Sequence, residues 1–186
     1  MQLYIKNMVC DRCRMVVKSV LEQSGLHPLS VALGEVSISE TLTKAQEHEL
    51  DKQLQPLGFT LVHDRKSRVV EKIKNRIITL VHDKNNALKT TLSEDIAAAV
   101  GQDYSYISSW FSKMEGITIE QYYTLQRIER VKELMADGEL NLNEIADRLH
   151  YSSASHLTKQ FKKVTGITPT YFKNLKEKQR QPLDNL

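Results

Sequence analysis

The strongest constraint in this sequence is an internal repeat. Ile96-Ala97 stands before Val100-Gly101, then Ile107 and Phe111, then Gly116-Ile117-Thr118. Ile145-Ala146 stands before Leu149-His150, then Leu157 and Phe161, then Gly166-Ile167-Thr168, with Phe111 and Phe161 exactly 50 positions apart. Each copy reads as a helix, a tight turn and a second helix. Alanine lets two helices cross closely, and the large apolar pair pins the second helix on the first. Such a unit can present the outer face of its second helix to a DNA major groove.

Helix starts recur throughout this half. Thr118 with Gln121 and Asn141 with Glu144 have capping-box spacing, and proline follows Thr168 where its missing N–H costs nothing. The spacing predicts helices over 93–100, 104–114, 118–136, 142–149, 153–164 and 169–177. The first 63 residues read differently. Leu3-Tyr4-Ile5 predicts a strand, and Met15, Val16, Val17, Val20 and Leu21 a helix. Leu29, Val31, Leu33, Val36 and Ile38 around Gly34 predict a hairpin. A helix over 43–54 and a last strand with Phe59, Leu61 and Val62 complete the order of a ferredoxin-like βαββαβ fold.

The fold class expected is therefore α+β, with four parts: a ferredoxin-like domain at 1–64, a linking helix and loop at 65–87, an all-α domain at 88–178, and a tail at 179–186. In the linking segment Val69, Ile73, Ile77, Leu80 and Val81 recur at helical spacing. That stripe could pack on either domain or on a second copy of the chain.

Charge is distributed unevenly. Residues 1–67 hold eight basic and eight acidic side chains. Between Thr158 and Arg180 stand Lys159, Lys162, Lys163, Lys173, Lys176, Lys178 and Arg180 against Glu177 alone. Such a face can neutralise phosphates, and a solvated helix end is the plainer alternative. No apolar run approaches a membrane span, and the N-terminus lacks the pattern of a secretory signal, so a cytoplasmic protein without membrane contact is expected. No phosphate-binding glycine loop, catalytic triad or paired-carboxylate pattern is present, so the expectation is that the chain is not an enzyme.

The run from Asn143 to Lys173, with Glu144-Ile145-Ala146, Leu157, Phe161 and Gly166-Ile167-Thr168-Pro169, closely resembles the signature of AraC-family transcription regulators. The resemblance covers about 88–178. It implies two helix-turn-helix units joined by a long helix, reading adjacent major-groove segments of double-stranded DNA, with RNA polymerase as a further partner and a homodimer as one possible assembly. Carried over by position, the groove-facing residues are Ala154, Ser155 and Lys159, with Lys163 and Thr170 nearer phosphates. In the first unit they are Tyr104, Ser105, Ser108, Ser109 and Ser112. Lysine can donate to guanine O6 and N7, which makes Lys159 the chief specificity candidate. His150 replaces the family's turn glycine and Leu157 its usual aromatic; histidine tolerates positive φ better than most residues, so the turn should survive. Trp110 is expected in packing rather than as a base-stacking platform.

The only cysteines, Cys10 and Cys13, lie between the first strand and the first helix. A helix N-terminus lowers thiol pKa, and two nearby thiolates can share a soft ion. Met8-x-Cys10-x-x-Cys13 followed by Leu57-Gly58-Phe59 resembles heavy-metal-associated domains over about 2–63. That implies Cu(I), or Hg(II) or Cd(II), as a cofactor held by Cys10 and Cys13. Asp11, Arg12 and Asn7 depart from that pattern. A dithiol redox switch and an idle site remain open, as does a chaperone or buffer whose helical half docks a partner. The six histidines form no zinc spacing with the cysteines.

Overall fold

The computed structural model describes residues 1–179. The expected tail lies outside them apart from Gln179, as do the side chains of Lys176 and Lys178 and the whole of Arg180. Contacts group the chain into two compact units, each discontinuous in sequence: Met1–Arg76 with Ser93–Gly116, and Ile77–Leu92 with the chain from Ile117 onward.

The first unit contains the sheet. Strands β1 (Gln2–Lys6), β2 (Pro28–Ala32), β3 (Glu35–Ile38) and β4 (Thr60–Leu61) run in the order β2-β3-β1-β4, each pairing antiparallel. Helix α1 (Asp11–Gln23) follows β1, and α2 (Lys44–Leu54) follows β3. Leu3 and Ile5 alternate inward on β1, and with Val36, Ile38, Val17, Val20, Leu21, Leu50 and Leu54 they are buried. A Thr43–Gln46 capping box starts α2.

The expected helix and hairpin form, and each buries only part of its apolar pattern. Leu29 is 72% exposed, because the β2–β3 register slips between Pro28 and Ser30 and places Leu29 in a bulge. Met15 and Val16 are also exposed: the buried stripe of α1 is Val17, Val20 and Leu21, and the other two fall outside it.

The opposite sheet face carries Tyr4, and α3 (Arg65–Ile78) lies across it. The Arg68 guanidinium and the Lys72 ammonium stand 5.0 and 5.4 Å from the Tyr4 ring, and Lys72 pairs with Glu35 at 3.1 Å. Gly34, at φ +71, admits this packing: a Cβ there would meet the Asn75 side-chain amide at 1.8 Å. Within the same unit α3 also holds α4 (Leu92–Val100) and α5 (Tyr104–Glu115). Arg76 Nε donates to Asp95 at 2.7 Å, Lys74 pairs with Glu115 at 3.5 Å, and Lys66 stands 5.5 Å from the Trp110 ring. The linking helix was expected over 66–82. It is α-helical to Ile78 and closes in a π turn over Thr79–Asp83, where Lys84 N–H reaches the Thr79 carbonyl. Asn85 and Asn86 then take positive φ and stop it.

The second unit is helical: α6 (Ile119–Asp137), α7 (Leu142–Arg148), α8 (Ala154–Thr165) and α9 (Pro169–Gln179). Ile128, Val131, Leu134, Ile145, Ala146, Leu149, Tyr151, Leu157 and Phe161 form its core, with Phe172 edge-on to Phe161 at 5.6 Å. Among the described residues no helix is long and apolar enough to cross a membrane.

Candidate nucleic-acid interface

In the second unit, Asn141 caps α7 through the box with Glu144. After α7 the chain turns at His150, whose φ of 53° is the left-handed conformation the turn requires. Tyr151 N–H returns to the Ala146 carbonyl at 2.8 Å. Ser153 then caps α8 by accepting from His156 N–H at 3.1 Å. Leu157 and Phe161 point inward, and Ser155, His156, Lys159, Lys162 and Lys163 are exposed. Ala154 is half-buried, and Thr170 is exposed on α9. Ser155, Lys159 and Lys163 stand four residues apart on one ridge. No carboxylate among the described residues pairs with Lys159, Lys162 or Lys163, so the ridge keeps its positive charge.

The first unit's α5 offers less. Asp103 accepts from Ser105 N–H at 2.9 Å and from Tyr106 N–H at 3.4 Å, and the Ser105 hydroxyl also donates to it. That hydroxyl, with the two N–H groups, holds the Asp103 carboxyl below its ordinary pKa. The Ser108 hydroxyl donates to the Ser105 carbonyl at 3.0 Å. Two of the four expected serines thus spend their protons locally. Ser105 and Ser109 are exposed; Tyr104, Ser108 and Ser112 are half-buried. Trp110 is half-buried against Tyr106, with ring centroids 4.2 Å apart, and beneath Lys66.

Two residues of this site are absent from the sequence reading. Asn86 Nδ2 and Arg127 Nη2 both donate to the Leu149 carbonyl, at 2.9 and 3.1 Å, and both residues are buried. The Arg127 guanidinium lies 3.7 Å from the Tyr151 ring and 5.5 Å from that of Tyr123. Tyr123 donates to Asn86 Oδ1, and Tyr151 to Gln160 Oε1 at 2.8 Å. Burial pushes both phenols above their ordinary pKa, so they stay donors at neutral pH. A signal was available for Arg127: it stands four before Val131 and seven before Leu134, on the inward stripe of α6.

At the other end of the chain, Cys10 is the N-cap of α1, and its Sγ lies 3.4 Å from that of Cys13. The Cys13 backbone N–H, then its thiol, holds Cys10 below the ordinary thiol pKa. Asn7 has φ 72° and donates through Nδ2 to the Gly58 carbonyl at 2.9 Å, so asparagine fills a left-handed turn position here. No group of three or more His, Cys, Asp or Glu side chains able to hold a metal occurs among the described residues.

Residues 96–174 match the family model described as a helix-turn-helix domain. That segment is similar to helix-turn-helix domains. The match supports the resemblance to AraC-family regulators over this stretch. An uncharacterised helix-turn-helix-type transcriptional regulator of Bacillus subtilis, YtdP, is 30% identical over 115 residues, 62% of this chain and 15% of that protein. The melibiose operon regulatory protein of Escherichia coli is 29% identical over 87 residues, 47% of this chain and 29% of that protein. The chain therefore spans less than a third of either regulator. Among solved structures, the C-terminal domain of AraT, a response regulator from Geobacillus stearothermophilus, aligns with a TM-score of 0.51 and 26% identity, covering 60% of this chain and 88% of that one.

Proposed function

We propose that this chain is a sequence-specific, AraC-type transcription regulator that binds double-stranded DNA, with α8 as its principal base-reading helix. The observation that carries this reading is the unpaired ridge of Ser155, Lys159 and Lys163 on a capped helix of a helix-turn-helix domain. In this reading Lys159 donates to a guanine edge, and Lys162 and Lys163 neutralise phosphates. The serines of α5, half of them locally bonded, suit positioning better than readout. Selection from a random duplex pool followed by mobility shifts tests this. Lys159→Ala is expected to cost roughly 1–3 kcal/mol at the selected site and to relax the preference there. Equal binding of wild type to all duplexes would sink the reading.

A second reading concerns the N-terminal part. The sheet order β2-β3-β1-β4 with all pairs antiparallel supports the ferredoxin-like, heavy-metal-associated resemblance. Two thiols 3.4 Å apart at a helix N-terminus, one with a lowered pKa, fit a soft ion of low coordination number. Cys10 and Cys13 would hold it, and Cu(I) is the ion of choice. Chelator-competition titration with and without the selected duplex tests both binding and coupling, since a metal that tightens DNA binding must bind the DNA complex more tightly.

A further inference from the structure

We propose that Asn86, Arg127 and Tyr151 are positioning residues that set the aim of α8, an inference that rests on reading α8 as the base-reading helix. The Leu149 carbonyl lies just past the last turn of α7, where helix carbonyls lack intrahelical partners. Two side chains converge on it from positions 63 and 22 residues away in sequence. The Tyr123 hydroxyl, donating to Asn86 Oδ1, fixes which way that amide faces. Asn86 itself has φ 64°, a conformation asparagine tolerates better than most residues.

Arg127 does two further things. It covers the face of Tyr151, and Tyr151 reaches α8 through its hydroxyl on Gln160, the neighbour of Lys159. The turn carbonyl, the Tyr151 ring and Gln160 therefore tie α8 to α6 and to the 84–91 loop at three points. Only a planar cation can donate to a carbonyl and stack on a ring at once, which lysine cannot reproduce. No carboxylate among the described residues answers this buried charge, and its Nε has no hydrogen-bond partner. An apolar side chain would fill the space at lower cost. What the arginine secures is orientation, and a displacement of about 1 Å is enough to spoil a directed contact.

The full chain tests this with Asn86→Gly, which keeps the left-handed backbone, with Tyr151→Phe, which keeps the ring, and with Arg127→Lys. Each is measured with and without Lys159→Ala, on the pool-selected duplex and on a scrambled one, at active concentrations fixed by stoichiometric titration. Each single variant is expected to lose about tenfold on the selected duplex, equivalent to about 1.4 kcal/mol. The scrambled duplex, held through phosphates, should change by less than about twofold. Adding Lys159→Ala should cost little more, because its contact is already misaimed. Equal losses on both duplexes, or losses that multiply with Lys159→Ala, would overturn the proposal. If Arg127→Lys does not fold, Tyr151→Phe decides. Wild type binding both duplexes equally removes the base-reading role and this one with it; wild-type discrimination retained by all variants removes the positioning role alone.

Discussion

At the level of single residues, the same chemistry has different consequences at different sites. Ser153 and Ser105 are both serines at the start of the second helix of a repeat, yet Ser153 caps its helix and the Ser105 hydroxyl is spent on Asp103. Ser153→Ala should therefore cost about 1 kcal/mol of stability, read as a lower urea midpoint at unchanged slope. Cys10 gives a pH prediction. Its thiol sits below the ordinary range because the thiolate accepts from Cys13, so its alkylation rate should rise at lower pH than that of a free cysteine. Cys13→Ala should move that profile only part of the way back, because the backbone N–H, the larger cause, remains. A profile identical to that of a free thiol would contradict this. Pattern alone could place both cysteines at a helix start; it could not show their separation, because that depends on rotamers.

Among elements, α3 is the most informative. Its apolar spacing was legible, and every residue of the expected stripe is buried. What it packs against was not legible, because an amphipathic stripe has no address. The contacts with Tyr4, Glu35, Trp110, Glu115 and Asp95 supply that within the first unit. Gly34 is where this packing can be tested. Gly34→Ala and Gly116→Ala both pay about 1 kcal/mol or more for a left-handed alanine, whereas only the first also meets Asn75. Gly34→Ala should therefore be the more destabilising of the two by urea unfolding, and Asn75→Ala in the Gly34→Ala background should recover part of the difference. Leu29 shows the reverse case: a period-two pattern includes it, and a bulge, which hydrophobic alternation does not encode, turns it out to solvent.

In the whole molecule, segments close in sequence are divided between units. Residues 93–116 group with the sheet, and residues 77–92 with the helices from Ile117 onward. Leu157→Ala, which hollows the second core at a cost of about 2–5 kcal/mol, should raise amide exchange in 77–92 along with α6, α7 and α8. Residues 93–116 should keep the exchange behaviour of β1; a rise there matching that of 77–92 would contradict the grouping. The sequence by itself determined the helices, their caps and the repeated helix-turn-helix design, because those follow from short-range periodicity and from side chains bonding their own backbone. Only the tertiary structure decided the partner of α3, the discontinuous grouping, and the convergence of Asn86 and Arg127 on one carbonyl. Those depend on contacts between residues far apart in the chain, where neither spacing nor composition carries a signal.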